Sequence, residues 1–247
     1  MSKTVIEFKN VTKSFPIYHH LASGIKGFIF NFPKSLRGIT QDRFTALQDI
    51  SFEIKQGETV AFIGRNGAGK STTLGLIAEV MKPTQGSVIV NGRVSPLLEL
   101  GGGFHPDLTG RENISLNGVL MGLTRAQVKE KIPDIIEFSE LGDFIEQPIR
   151  TYSSGMLSRL GFAVIANLDP QILLVDEVLA VGDIKFQEKC KAKINEFKKQ
   201  GVTIILVSHA SASVEDLCSR AIWIENHRVR MDGPSKQVLE SYTEAMK

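Results

Sequence analysis

Thr59-Val60-Ala61-Phe62-Ile63, followed directly by Gly64-Arg65-Asn66-Gly67-Ala68-Gly69-Lys70-Ser71, decides how this chain is read. The first five residues form a nearly unbroken apolar run, which suits a strand buried on both faces of a sheet. The next eight set four residues between Gly64 and Gly69 and close with Lys70 and Ser71, the pattern of a loop that wraps phosphate. Glycines at 64, 67 and 69 let successive backbone N–H groups turn toward phosphate oxygens, and a helix starting near Ser71 adds the positive end of its dipole. Lys70 is then expected to reach the β- and γ-phosphates, Ser71 to ligate Mg²⁺ and Thr72 to donate to the α-phosphate, with Arg65, Asn66 and Ala68 completing the loop. The plainer alternative is a glycine-rich turn ahead of an ordinary helix. Its weakness is the context: a buried strand stands before the loop, and residues 71–80 behind it carry Leu74, Ile77 and Ala78 at helical spacing before Pro83.

Working outward, further strand-like runs fall at 5–8, 50–54, 172–175 and 202–207, and a charged helical segment at 183–200 separates the last two. That alternation predicts parallel strands joined by helical crossovers, an α/β fold. From residue 96 to about 167 the pattern turns helical, after a loop with glycine at 101, 102 and 103. Thr124 with Gln127 makes a capping box that starts a helix through about 138, and a second helix over 155–167 has so little polar face that it should be well buried. Residues 221–225 and 228–231 read as short strands about a tight turn, and 234–245 as a final helix capped by Ser235. Residues 15–44 show no sustained period and read as an insertion, partly looped.

Composition narrows the class. At 247 residues the chain makes one large domain or two small ones, and 42% hydrophobic with 23% charged residues excludes a disordered chain. Lys and Arg number 29 against 27 Asp and Glu, a net charge of +2 that argues against a dedicated nucleic-acid binder, and no nucleic-acid partner is expected. Cys190 and Cys218 stand apart, without the spacing of a zinc site or disulfide framework, which fits a reducing compartment. Neither a signal-peptide pattern nor a run approaching ~18 apolar residues is present, so the chain is expected neither to be secreted nor to span a membrane.

A second chemical cluster closes the run Ile172-Leu173-Leu174-Val175-Asp176-Glu177. Two carboxylates at the end of a buried strand sit where α/β sheets present ligand groups. Asp176 is the expected Mg²⁺ partner and Glu177 the base that polarises water against the γ-phosphate. Taken in isolation, an acidic pair closing a strand is ordinary surface chemistry.

With these residues in view, the chain resembles the nucleotide-binding domains of ABC ATPases. The resemblance implies a P-loop NTPase: a mixed, mostly parallel central sheet, an N-terminal antiparallel β subdomain and an inserted helical subdomain. It divides a single domain, 1–247, into a catalytic core at 1–95 and 168–235, a helical subdomain at 96–167 and a C-terminal helix at 236–247. Tyr152-Ser153-Ser154-Gly155-Met156 stands where the family carries its LSGGQ signature; Ser153 and Gly155 match, while Tyr152, Ser154 and Met156 replace leucine, glycine and glutamine. Read alone, this stretch is a serine-rich helix cap. His209 falls at the family's switch histidine, so the implied catalytic set is Lys70, Glu177 and His209. Asp183 takes the place of the family's D-loop aspartate, although Ala180-Val181-Gly182-Asp183 departs from the usual SALD. No glutamine stands at the family's glutamine loop; Glu99 is the nearest polar substitute for holding metal or water. Phe15 matches the aromatic that stacks on adenine, with Tyr18, His19 and His20 close enough to compete and a core position at the sheet edge as the alternative.

Within that family the chain is most similar to ATP-binding subunits of bacterial exporters of O-antigen, capsular polysaccharide and teichoic acid. The stretch from Leu97-Leu98-Glu99-Leu100 through Gly101-Gly102-Gly103-Phe104-His105-Pro106 to Thr109-Gly110-Arg111-Glu112-Asn113, together with Asp176-Glu177-Val178-Leu179-Ala180-Val181-Gly182-Asp183, carries this likeness. The chain resembles the short type, without a C-terminal carbohydrate-binding domain. The implied cofactors are ATP and Mg²⁺. The implied assembly is a head-to-tail homodimer in which Lys70 of one copy and Ser153, Ser154 and Gly155 of the other hold each ATP. An integral-membrane permease would carry a lipid-linked polysaccharide, placing this chain on the cytoplasmic face of the bacterial inner membrane as a peripheral subunit. Phe28, Phe30 and Phe32 of the insertion either pack on the sheet or face the permease or bilayer. A soluble ABC ATPase working without a membrane partner is the competing reading. Such proteins normally carry two domains or a long coiled coil, and neither is present.

Overall fold

The computed structural model describes residues 3–17, 43–97, 103–176, 182–208 and 211–246. The expectations for Tyr18, His19, His20, Phe28, Phe30, Phe32, Glu99, Glu177 and His209 lie outside these residues, as does the body of the insertion.

β3 (Thr59–Ile63) is buried along its whole length. Its side chains alternate between two cores, as the period of two in a strand requires. Val60 and Phe62 enter one apolar cluster, Ala61 and Ile63 another. The same division holds in β6 (Ile172–Asp176), β7 (Thr203–Val207) and β8 (Arg220–Glu225): Leu174, Ile205 and Ile222 face the first cluster, Leu173, Leu206 and Trp223 the second. A sheet covered on both faces explains why the strand runs read as continuously apolar. With β5 (Val94–Leu97) and β9 (Arg228–Pro234) at its edges, the six-stranded order is β5-β6-β7-β3-β8-β9, parallel throughout except for the antiparallel β8–β9 pair.

The first face is covered by a three-stranded antiparallel sheet, ordered β2-β1-β4, made from β1 (Thr4–Pro16), β2 (Arg43–Lys55) and β4 (Gln85–Val90). Phe8 of β1 stacks on Phe52 of β2 at 4.4 Å, and Phe52 meets Phe62 of β3 at 5.4 Å, so an aromatic relay joins the two sheets. The second face is covered by α4 (Ser154–Ala166), α5 (Ile184–Lys199), α6 (Ser211–Leu217) and α7 (Ser235–Ala245), all defined below β3 by residues such as Phe162, Phe186, Val214 and Val238. α1 (Lys70–Ile77) packs between the two sheets through Leu74, Leu76 and Ile77.

α2 (Gly110–Leu120) and α3 (Arg125–Ser139) lead into two short 3-10 turns, Gly142–Glu146 and Ile149–Thr151, and then into α4. Both α2 and α3 open on complete capping boxes, Thr109 with Glu112 and the expected Thr124 with Gln127. α4 is shared between cores: Leu160, Ala163 and Val164 pack with α2 and α3, while Phe162, Ile165 and Ala166 lie under the sheet, which accounts for its missing polar face.

Three expectations change. Pro96 and Leu97 continue β5, paired with Leu174 and Val175, so the chain is still strand past residue 95, and among the described residues the next helix starts at Gly110. The ends of the insertion are strand as well, with Phe15 directly opposite Phe44. Ser235 does not cap the last helix: it is the first helical residue, Pro234 holds the cap position, and the Ser235 hydroxyl donates to the Cys218 carbonyl at 2.7 Å.

Asn113 of α2 is fully buried and organises the loop before that helix. Its side-chain oxygen accepts from His105 N at 2.7 Å, and its amide nitrogen faces the carbonyls of His105, Leu108 and Thr109 at 3.1, 3.1 and 3.0 Å. Replacing Asn113→Ala strips the His105 N–H of its acceptor and should cost about 1–2 kcal/mol. Urea unfolding should show a lower midpoint at unchanged slope, and the His105 amide should exchange faster in native protein.

Candidate nucleotide site

The loop between β3 and α1 is held open by two backbone requirements. Gly69, the N-cap of α1, has φ 112° and ψ 6°, in the left-handed region. A Cβ there would lie 2.4 Å from Leu47 Cδ2 and 2.6 Å from the Ala46 carbonyl oxygen. Gly67 has φ 79° but open space around it, so conformation alone demands glycine at that position. Glycine at the cap offers α1 no side-chain capping bond, and no acidic residue occupies its first turn. The unneutralised positive end of the helix therefore faces outward beside the loop, as anion binding requires.

Lys70 is buried and curls back over the loop, its ammonium donating to the Gly64 carbonyl at 2.7 Å and the Arg65 carbonyl at 3.0 Å. In front of it opens a cleft of about 340 Å³. Phe15, Asn66, Gly67, Gly69, Lys70, Ser71 and Thr72, all singled out from sequence, line it together. So does Val207, at the carboxyl end of β7 and in register with Asp176 at the end of β6. A hydroxyl at Ser71 and a carboxylate-bearing residue at the neighbouring strand end are hard oxygen donors that fit Mg²⁺, and the glycine cradle with Lys70 fits a polyphosphate.

Phe44 was not foreseen. It lies opposite Phe15 across the β1–β2 ladder, lines the same cleft and is 47% exposed. Its ring meets His227 edge-on at 5.5 Å, while the Lys13 ammonium sits 5.0 Å from the Phe15 ring centre. The two phenyl rings thus form one aromatic wall beside the phosphate loop. In the sequence Phe44 only marks the end of an aperiodic stretch; the strand register reveals it.

The second group of candidates is elsewhere. Ser153 caps α4, its hydroxyl oxygen accepting from Met156 N at 3.2 Å, and Ser153 and Ser154 are exposed. Tyr152, in place of the signature leucine, is an anchor: its ring is buried and its hydroxyl donates to the Phe144 carbonyl at 2.6 Å. Asp183 caps α5, accepting from Phe186 N at 2.9 Å. Neither Ser153, Ser154, Gly155 nor Asp183 lines the cleft of their own chain. Cys190 and Cys218 are buried, and burial pushes both thiols up to about 12, so neither serves as a nucleophile at neutral pH.

A parallel sheet with a glycine loop and lysine at the head of its first crossover helix defines a P-loop nucleotide-binding protein. The sequence profile of the ABC transporter family matches residues 47–180, and the chain belongs to that family as one of its ATPase subunits. It is 58% identical to an O-antigen export system ATP-binding protein, RfbB, of Klebsiella pneumoniae over 242 residues, covering 98% of each chain. It is also 46% identical to the teichoic acids export ATP-binding protein TagH of Listeria innocua over 248 residues, covering 100% of this chain and 72% of that one. Among solved structures, an ATP-binding subunit of an ABC transporter superposes with a TM-score of 0.76 at 23% identity, over 97% of this chain and 94% of that one. A dimeric ATP-binding cassette bound to ADP and Pi gives 0.73 at 21%, over 93% and 98%. These two likenesses establish the fold.

The glycines separate structure from chemistry in a testable way. Gly69→Ala combines a forbidden φ with a steric clash and should destabilise the chain by about 2 kcal/mol or more. Gly155→Ala places a Cβ whose nearest neighbour is Ser153 Oγ at 3.8 Å, inside a helix, and should be neutral or stabilising by about 0.5 kcal/mol. Thermal melts of the two variants check this; a large loss of stability in Gly155→Ala would contradict the geometry.

Proposed function

We propose that this chain hydrolyses ATP to drive export of a lipid-linked polysaccharide of the O-antigen type, as a homodimer peripheral to the cytoplasmic face of the inner membrane and bound to a separate permease. The observation that carries the reading is the end-to-end match to the Klebsiella O-antigen export subunit, with the phosphate loop and its cleft intact. No helix among the described residues is long and apolar enough to cross a membrane, which agrees with a separate subunit doing so.

In this reading the Lys70 ammonium, which donates to the Gly64 and Arg65 carbonyls, turns to β- and γ-phosphate oxygens and makes charge-assisted bonds there. The N–H groups from Gly67 to Thr72 bind the phosphates and fix their direction relative to β6 and β7. Phe15 and Phe44 hold the adenine. Ser71 and Asp176 would hold Mg²⁺, with Glu99 as a further candidate, and a bound ion would supply positive charge against the phosphates. Glu177 takes the proton of the attacking water and His209 orients the γ-phosphate. Ser153, Ser154 and Gly155 of a second copy close over that phosphate with the uncompensated end of α4, whose first turn carries no acidic residue.

Two measurements test the reading. Glu177→Gln should lower steady-state hydrolysis by about 10²–10⁴-fold and leave an ATP-dependent dimer in sedimentation; unchanged turnover would remove the assigned base. Phe15→Ala with Phe44→Ala should weaken ATP binding by about tenfold or more while leaving inorganic triphosphate binding unchanged, since stacking contributes roughly 1–3 kcal/mol per base. Equal losses for both ligands would show that the rings shape the loop instead of holding the base.

A further inference from the structure

Arg159 ties together three elements that the sequence keeps far apart. It projects from α4, roughly 9 Å along the helix axis from the Ser153 cap. One guanidinium nitrogen donates to Asp183 Oδ2 at 2.7 Å, and another lies 3.6 Å from Glu140 Oε2. Its planar face covers the Phe186 ring, with the central carbon 4.9 Å from the ring centre. The fork and the flat face are both used, so a lysine could not replace it.

Both carboxylates are themselves fixed. Asp183 divides its oxygens: Oδ1 caps α5 through Phe186 N, and Oδ2 receives Arg159. Glu140 is the left-handed C-cap of α3, φ 55°, and accepts from Lys189 of α5 at 2.8 Å; the same ammonium donates to the Phe138 carbonyl at 3.0 Å. Gly182, just before Asp183, has φ 72°, and a Cβ there would press on Phe186 at 3.3 Å and Arg159 Nε at 3.5 Å. The guanidinium is therefore enclosed by the end of α3, the start of α5 and the glycine between, and its side chain is only 20% exposed.

We propose that Arg159 is a positioning residue that fixes the Ser153–Gly155 end of α4 against the Asp183 cap of α5, so that the end of α4 closes on a second copy's nucleotide as part of one body with α5. This rests on the composite-site reading above. A signature helix and an α5 cap free to move separately would each have to be ordered on dimer closure, and the Arg159–Asp183 bond removes that cost beforehand.

The test uses the full chain carrying Glu177→Gln, sedimented in Mg²⁺-ATP well below its melting temperature. Into it go Arg159→Gln and Asp183→Asn, singly and together. Asparagine retains the oxygen that caps α5 and loses only the charged partner of Arg159. Each single change should raise the dimer dissociation constant about tenfold, the double change no further, and ATP affinity of the single chain should stay unchanged; such non-additivity marks the pair as one unit. Additive effects, an unchanged dimer, or loss of single-chain ATP binding would each overturn the proposal. Should Arg159→Gln fail to fold, Asp183→Asn alone decides by the same tenfold criterion. A Glu177→Gln parent that forms no ATP-dependent dimer would overturn the composite site and this role with it, a failure visible before any change at Arg159.

Discussion

The close approach of β2 to the phosphate loop is the contact on which the site depends. Leu47 and Ala46 press on Gly69 from one side, while on the other a Cβ at Gly64 would lie 2.1 Å from the Ile224 carbonyl oxygen. The loop is thus clamped between the antiparallel sheet and β8, and its glycines are as much a packing requirement as a conformational one. One strand sets the geometry of both ends of a bound nucleotide: β2 supplies Leu47 and Ala46 behind the loop and, two residues earlier, Phe44 on the wall of the cleft. Any shift of β2 against β3 moves the aromatic wall and the phosphate cradle together. The relay Phe8–Phe52–Phe62 resists such a shift, since each ring is buried and contributes roughly 1.5–3 kcal/mol of transfer free energy.

On the opposite face of the sheet, α4 plays the corresponding part. Phe162 anchors it to Phe186 and the strands, and Leu160 and Val164 anchor it to α2 and α3. A helix buried on both sides has few directions in which to move without opening a void. Its exposed N-terminus, with Ser153 and Ser154, therefore reports the placement of both cores at once. Arg159 adds an electrostatic link at the junction of α3, α4 and α5.

What the sequence made legible follows from locality. The loop Gly64–Ser71, the box Thr124–Gln127 and the apolar runs of β3, β6 and β7 are each written in consecutive residues. The box Thr109–Glu112 is equally local, four consecutive residues that open α2 as Thr124–Gln127 opens α3. β1 was underestimated for a physical reason: its ladder with β2 is interrupted by register shifts between Phe8 and Val11 and again near Lys13, and Asn10 adopts φ 48°. Each irregularity resets the alternation of faces, so the period of two vanishes although the strand continues to Pro16. Phe44 and Arg159 were hidden more deeply. Phe44 matters because it pairs with Phe15 across an insertion, and Arg159 because Asp183 and Glu140 return to it through the fold.

The three helix ends in this architecture divide the work by how they are capped. α1 begins at a glycine, which offers no side-chain cap. α4 and α5 begin at Ser153 and Asp183, whose oxygens already accept from Met156 N and Phe186 N. A helix end that must receive phosphate directly gains from being bare, because every capping bond would have to be broken on binding. An end that only approaches a ligand held by another chain gains from being capped, because its geometry is then settled before the ligand arrives. The neutral serine hydroxyl at α4 preserves the positive end of the dipole, whereas the aspartate at α5 spends its charge on the cap and on Arg159. Of the three, α1 and α4 are thereby suited to anions and α5 to a structural joint, a division that follows from one residue at the head of each helix.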